Sequence, residues 1–408
     1  MKNLNLFVYI FVLFGLYTCK EKPQEKKLVK GIYKGWLEVQ DNQKLPFNFE
    51  VISDNKLNIY NADEVIEVTD IVYKNDSVYI KTPVFQDYIT AKVEVNNNLV
   101  GYYKNDELKR SVPFKAHYNI KNRFENNSKS NIDISGVWET IFSPNSKTGR
   151  YVAKGIFKQT RDKVVGTFRT TTGDYRFLEG IVKGDSLKLS TFDGAHAFLF
   201  NAKVTDSTMA GIFYSGNHWK EPFIAKLNTE YELPDPNKLT FLNDDYEKFE
   251  FKFPNHNGRL ISLEDKQFKN KVVIVQLMGT WCPNCLDESK YYKTYLEKHS
   301  NKELAFVALA FEYAKTKERA FENINRLQKH LGIEYPILLA QYGTTNKVKA
   351  QEKLPMLNHV LSYPTTIFID KKGEIRKIHT GFNGPATGYK YEEFKKEFEF
   401  FVNGLLNE

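Results

Sequence analysis

Residues 271–288, KVVIVQLMGTWCPNCLDE, decide how the C-terminal part of this chain is read. From Val272 to Met278 the run is apolar except for Gln276, as expected for a strand covered on both faces. Pro283 suits the first turn of a helix, because its fixed φ fits there and its missing N–H is not needed. Tyr292, Tyr295, Leu296 and His299 then recur with helical spacing. The stretch reads as strand, turn and helix, with two cysteines at the turn. Two intervening residues bring the sulfurs within bonding distance, and Cys282 falls at the helix N-terminus, where unpaired N–H groups favour an anion. Cys282 is therefore the expected attacking thiolate and Cys285 the resolving thiol, a pattern that points to thiol-disulfide exchange.

Two other readings of the pair fit the sequence less well. A zinc site needs further ligands, but the third of the chain's 3 cysteines is Cys19 and no HxxxH pair lies nearby, so neither a metal nor another cofactor is expected. A purely structural bridge across so short a loop would remove little chain entropy.

Downstream come a strand ELAFVALAFE, a helix from about Thr316 to Leu331, strands PILLA, TTIFID and EIRKIHTG, and a final helix from Tyr389 to Leu406. Strands alternating with helices argue a central sheet covered on both faces. Lys372 and Gly373 form the turn of a hairpin at one edge.

Upstream the character changes. Between Gly31 and Asn228 the sequence runs in short alternating strands with Asn, Asp and Gly turns, and it repeats. DSVYIKTPVFQDYITAKVEVNNNLVGYY, from Asp76, parallels DSLKLSTFDGAHAFLFNAKVTDSTMAGIFY, from Asp185, an offset of 109 residues. Each copy holds roughly eight predicted strands, enough to close a small barrel with a filled interior or to pack as a sandwich. The chain thus divides into an export signal (1–19), a tether (20–29), two all-β barrel-like repeats (30–120 and 133–229), a linker (230–248) and an α/β domain (249–408). Its 408 residues suffice for several cores, and its net charge of +8 is scattered, which argues against nucleic-acid binding. The apolar run from Leu6 to Tyr17 is too short to span a bilayer.

From about Phe249 to Glu408 the chain resembles the TlpA and ResA-like branch of the thioredoxin superfamily. FKFPNHNGRLISLEDKQFKNKVVIVQLMGTWCPNCLDES follows that family's layout, and Ser362-Tyr363-Pro364 looks like its cis-proline loop. The resemblance implies a thioredoxin-like fold in which Pro364 is cis and lies beside the cysteines. Trp281, Pro364 and the backbone of Tyr363 would then position a substrate strand. It also implies that Glu288, in a CxxCxxE pattern, handles the proton of Cys285, the plainer alternative being a carboxylate stabilised by the helix dipole. Two positions depart from the pattern. Gln276 stands where thioredoxin has a buried aspartate and cannot shuttle a proton, and Ser289-Lys290 replaces the usual proline.

LYTC followed by KEKPQEKK resembles a bacterial lipoprotein signal, which implies a lipid on Cys19, although Tyr17 and Thr18 depart from the usual small residues. Together these resemblances imply a protein-disulfide reductase anchored in the cell envelope, facing the periplasm more than the outer surface. It would act on cysteine-containing exported proteins with electrons from a membrane thiol carrier. The reducing direction comes from the resemblance alone, and the residues between the cysteines are equally compatible with an oxidase or an isomerase. Rival readings are a binding lipoprotein that uses the β repeats, with the thioredoxin-like part as scaffold, and a thioredoxin-like peroxidase. The latter lacks its expected PxxxTxxC arrangement.

Overall fold

The computed structural model describes residues 26–125, 130–299 and 301–408; Cys19, the export signal and most of the tether lie outside them. Strands such as KLNIYN (Lys56–Asn61) and WKEPFIAKL (Trp219–Leu227) turn alternate side chains inward, which wraps the N-terminal half into two antiparallel meanders. The first has nine strands, from Gly31–Glu38 to Arg110–Tyr118, and its first strand pairs with its last. The ladder has one seam, between Glu64–Val68 and Asp70–Lys74. About eight strands were expected here; the extra one arises because the residues at the seam form two short strands.

The second meander closes completely. Eight strands from Gly136–Phe142 to Trp219–Leu227 pair in a ring, and the two-residue strand Gly173–Asp174 is attached to one of them. Corresponding strands begin 109 residues apart, at Ser77 and Ser186, Tyr88 and Ala197, Leu99 and Thr208, and Arg110 and Trp219. Both barrels have aromatic cores: Tyr33, Phe47, Phe49 and Phe114 in the first, and Trp138, Phe142, Phe168, Phe200 and Phe223 in the second. Burying each such ring contributes roughly 1.5–3 kcal/mol.

The barrels are packed together. Phe192 of the second stacks on Phe47 of the first at 4.3 Å between ring centroids. The polar stretch between the repeats carries a buried anchor. Arg123 donates to the carbonyls of Pro46 and Tyr60 at 3.1 Å each and to that of Ser190 at 3.0 Å.

The C-terminal domain has a five-stranded sheet in the order Ile337–Gln341, Leu304–Phe311, Val272–Met278, Thr365–Ile369, Ile375–Thr380. The first three strands are parallel and the last two form the antiparallel edge hairpin. Val272–Met278 lies at the centre and is buried throughout, as its composition demands. Helix α1 spans Pro283–Lys298, α2 Lys317–Leu331, α3 Lys347–Gln351 and α4 Tyr389–Leu406. Thr316 caps α2 by accepting from the Arg319 N–H, and Gly332 ends it in the left-handed conformation. The architecture is thus two barrel-like all-β sheets followed by a thioredoxin-like α/β domain. No helix among the described residues is long and apolar enough to cross a membrane.

Candidate active site

The central strand delivers the WCPNC turn to the head of α1. A side chain at Gly279 would bring its Cβ to 2.3 Å from the Trp281 indole nitrogen, so glycine is required for the tight exit from the strand. Trp281 donates to the Phe311 carbonyl at 2.9 Å and packs edge-on against Tyr363. Cys282 is the N-cap of α1, and the Cys285 N–H points at its sulfur at 3.2 Å. The two cysteines are joined as a disulfide, with Cα atoms 5.2 Å apart. Cys282 Sγ also lies 3.5 Å from the Tyr363 carbonyl oxygen, and the Tyr363–Pro364 bond is cis. Cys282, Cys285, Trp281, Tyr363 and Pro364 therefore share one locus.

Glu288 lies one turn further along α1 and is completely buried. Gln276 donates to its carboxylate at 2.7 Å and Thr366 at 2.9 Å. Burial pushes its pKa up to about 7 against the opposing effect of these bonds. Gln276 also reaches the Cys285 carbonyl at 3.4 Å, so the amide that cannot carry a proton tethers the acid that can.

Sequence reasoning missed Glu312, at the end of the neighbouring strand. Its carboxylate accepts from the Thr280 N–H and hydroxyl, both at 2.7 Å, which fixes the turn just before Trp281. Burial raises its pKa to about 7 as well. A lone glutamate closing the apolar run LAFVALAF was the available signal.

It also missed what covers the site. Val84 and Phe85, from a loop of the first barrel, join the apolar cluster that contains Cys282 and Cys285. From the second barrel, residues 171–176 lie across the cis-proline loop. Ser362 donates to the Thr172 carbonyl at 2.8 Å, Asn284 to the Asp174 carbonyl at 3.2 Å, and the Gly384 N–H to the Asp174 carboxylate at 2.7 Å. Gly173, at φ +145°, permits this approach, since a Cβ there would fall 2.1 Å from the Asn284 amide nitrogen. Arg176 locks the junction, ion-pairing with Asp287 of α1, with Glu64 of the first barrel at 2.7 Å and with Asp193 at 3.3 Å. Cys282 is consequently only 6% exposed.

Residues 243–393 match the family model described as Redoxin. The C-terminal domain is a ResA-like member of the thioredoxin superfamily. Among relatives of this ResA-like domain, Thioredoxin-like protein YneN of Bacillus subtilis is 29% identical over 132 residues, which is 32% of this chain and 68% of that protein. Sporulation thiol-disulfide oxidoreductase A of the same organism is 24% identical, covering 34% of this chain and 74% of its own. Thiol-disulfide oxidoreductase ResA of Bacillus thuringiensis is 26% identical, covering 34% and 69%. The barrels lie outside the residues matched by the Redoxin model.

Proposed function

We propose that this chain is a thiol-disulfide oxidoreductase acting as a disulfide reductase of the cell envelope, anchored through a lipid on Cys19, with Cys282 and Cys285 as the exchanging pair. The observation that carries this reading is the Cys285 N–H directed at Cys282 Sγ at the head of α1, where a thiolate gains most. The names of the relatives support the activity.

In the reduced protein the Cys282 thiolate attacks one sulfur of a substrate disulfide. A Cys282–substrate bond forms, the substrate's own S–S bond breaks, and the departing sulfur takes up a proton. Cys285 gives its proton to Glu288 and attacks Cys282 Sγ, releasing the second substrate thiolate. Two electrons have passed to the substrate, and a membrane dithiol carrier must reduce the pair again. Trp281, Pro364 and the Tyr363 backbone hold the substrate segment, and cysteine-containing exported proteins facing the periplasm are the substrates. The equal strand offset supports reading the barrels as a duplicated unit.

The reduction potential of the pair tests the direction. Titrated in the full chain, a value near about −270 mV or below is expected, while one near about −120 mV would mark an oxidant and overturn the reductase reading.

Glu288 predicts a pH dependence. The resolving step should quicken as pH rises through about 7, where the carboxylate becomes the base, and Glu288→Gln should flatten that profile. Stability should move the other way. The folded protein keeps a proton on Glu288 that the unfolded chain releases near its ordinary value of 4.5, so stability falls between there and about 7, by on the order of 3 kcal/mol, and then levels off. Denaturant melts of Glu288→Gln across that range should lack this component. An unchanged slope would remove Glu288 from the proton path.

A further inference from the structure

We propose that the cleft enclosed by the two barrels and Trp281 is the substrate-selecting site, and that it takes an extended cystine-containing peptide segment with an aromatic side chain beside the cysteine. This rests on the oxidoreductase reading above.

The cleft measures about 570 Å³ and draws its walls from all three parts of the chain. Trp281 and Tyr313 come from the ResA-like domain, Tyr103 and Arg110 from the first barrel, and Phe198 and Trp219 from the second. It is the size of a small-ligand site, so it admits a side chain with a short stretch of backbone and excludes a folded domain. Its walls are rich in aromatic faces, which favour offset or edge-on packing against another ring. Trp219 stands at the rim, 53% exposed despite its size.

Polar groups between the rings suit a peptide backbone. Arg110 lines the same cleft as the buried Asp87, whose charge it helps to offset, and its planar fork can also take a carbonyl or carboxylate. Burial lowers His218 to about 4, so it meets a ligand as a neutral ring at physiological pH.

A smaller cavity of about 270 Å³ beside Pro283 and Leu286 is lined largely by charged groups such as Glu64, Glu67, Arg176 and Asp193, and suits an aromatic side chain less well. Thr172 accepts from Ser362 at the start of the cis-proline loop, and Val84 and Phe85 pack on the side of the first barrel. The cleft meets the redox motif at Trp281, the residue immediately before the attacking sulfur. A ring seated between Trp281 and Trp219 would bring the adjacent cystine to Cys282.

The test uses the reduced full chain in single-turnover mixing with two cystine peptides that differ only in Tyr or Ala beside the cysteine, and with hydroxyethyl disulfide as a probe without side chains. The Tyr peptide is expected to react about threefold to tenfold faster than the Ala peptide. Trp219→Ala should bring that ratio towards one, whereas Arg110→Gln should slow both peptides alike. A serine-for-cysteine version of the Tyr peptide, which cannot exchange, should quench tryptophan fluorescence in the parent chain and not in Trp219→Ala. Equal rates for the two peptides, or a ratio that survives Trp219→Ala, would overturn the assignment. If hydroxyethyl disulfide is not reduced at all while the serine peptide still binds, the oxidoreductase reading fails and the binding site stands.

Discussion

A chain carrying Cys285→Ser is expected to accumulate stable mixed disulfides through Cys282, while Cys282→Ser accumulates none. The asymmetry follows from position. Cys282 caps α1 and retains some exposure, whereas Cys285 is fully buried behind it and meets only a sulfur already bonded to Cys282. Removing the resolving thiol leaves the first exchange intact and stops the second. Turnover in either variant should fall by at least about a thousandfold, since the two sulfurs act as one unit. Non-reducing electrophoresis followed by mass spectrometry of the trapped species reads the result. Equal trapping by both variants would reverse or abolish the assigned roles.

Replacing Arg176 with methionine should destabilise the protein by about 3–5 kcal/mol, the usual cost of removing one partner from a buried ionic network. Arg176 is 3% exposed and faces Asp287, Glu64 and Asp193, while its own N–H is held by Asp174 at 2.8 Å. Without the guanidinium these carboxylates remain buried with no shared cation. Burial already raises Glu64 and Asp174 above the ordinary carboxylate range, so the variant should lose most stability at neutral pH and recover part of it as acid neutralises them. Because the cluster clamps both barrels to α1, reduced Cys282 should also become more reactive towards iodoacetamide. A denaturation midpoint within about 0.5 kcal/mol of the parent would show that the cluster does not hold the junction.

Much of this was legible in the residues. A strand buried on both faces needs a nearly unbroken apolar run, a helix start tolerates proline, and a cysteine pair spaced by two residues suits that helix, so the α/β part and its sulfur chemistry are local properties. The barrels were legible as strands because alternation is local too. Their seam at residues 64–74 and the second barrel's complete closure depend on which strand finds which partner, a long-range choice that periodicity does not encode. The junction was least legible. Arg176 reads as an ordinary surface arginine in a turn, Gly173 as a turn glycine, and Val84 and Phe85 as loop residues. Each takes its meaning from a surface more than a hundred residues away in sequence. Glu312 is an intermediate case, visible as a charge at the end of an apolar run but without a purpose until Thr280 is seen beside it.

Val84 and Phe85 carry one more implication. They belong by sequence to the first barrel and by packing to the core around the cysteines. Boundaries drawn along the chain are therefore not boundaries in cooperativity. Cutting before Phe249 would leave a hydrophobic wound beside the sulfurs, and heat should melt the first barrel and the redox centre as one transition instead of two. Whatever electron affinity the pair possesses belongs to the assembled chain, with the barrels as part of the dielectric around it.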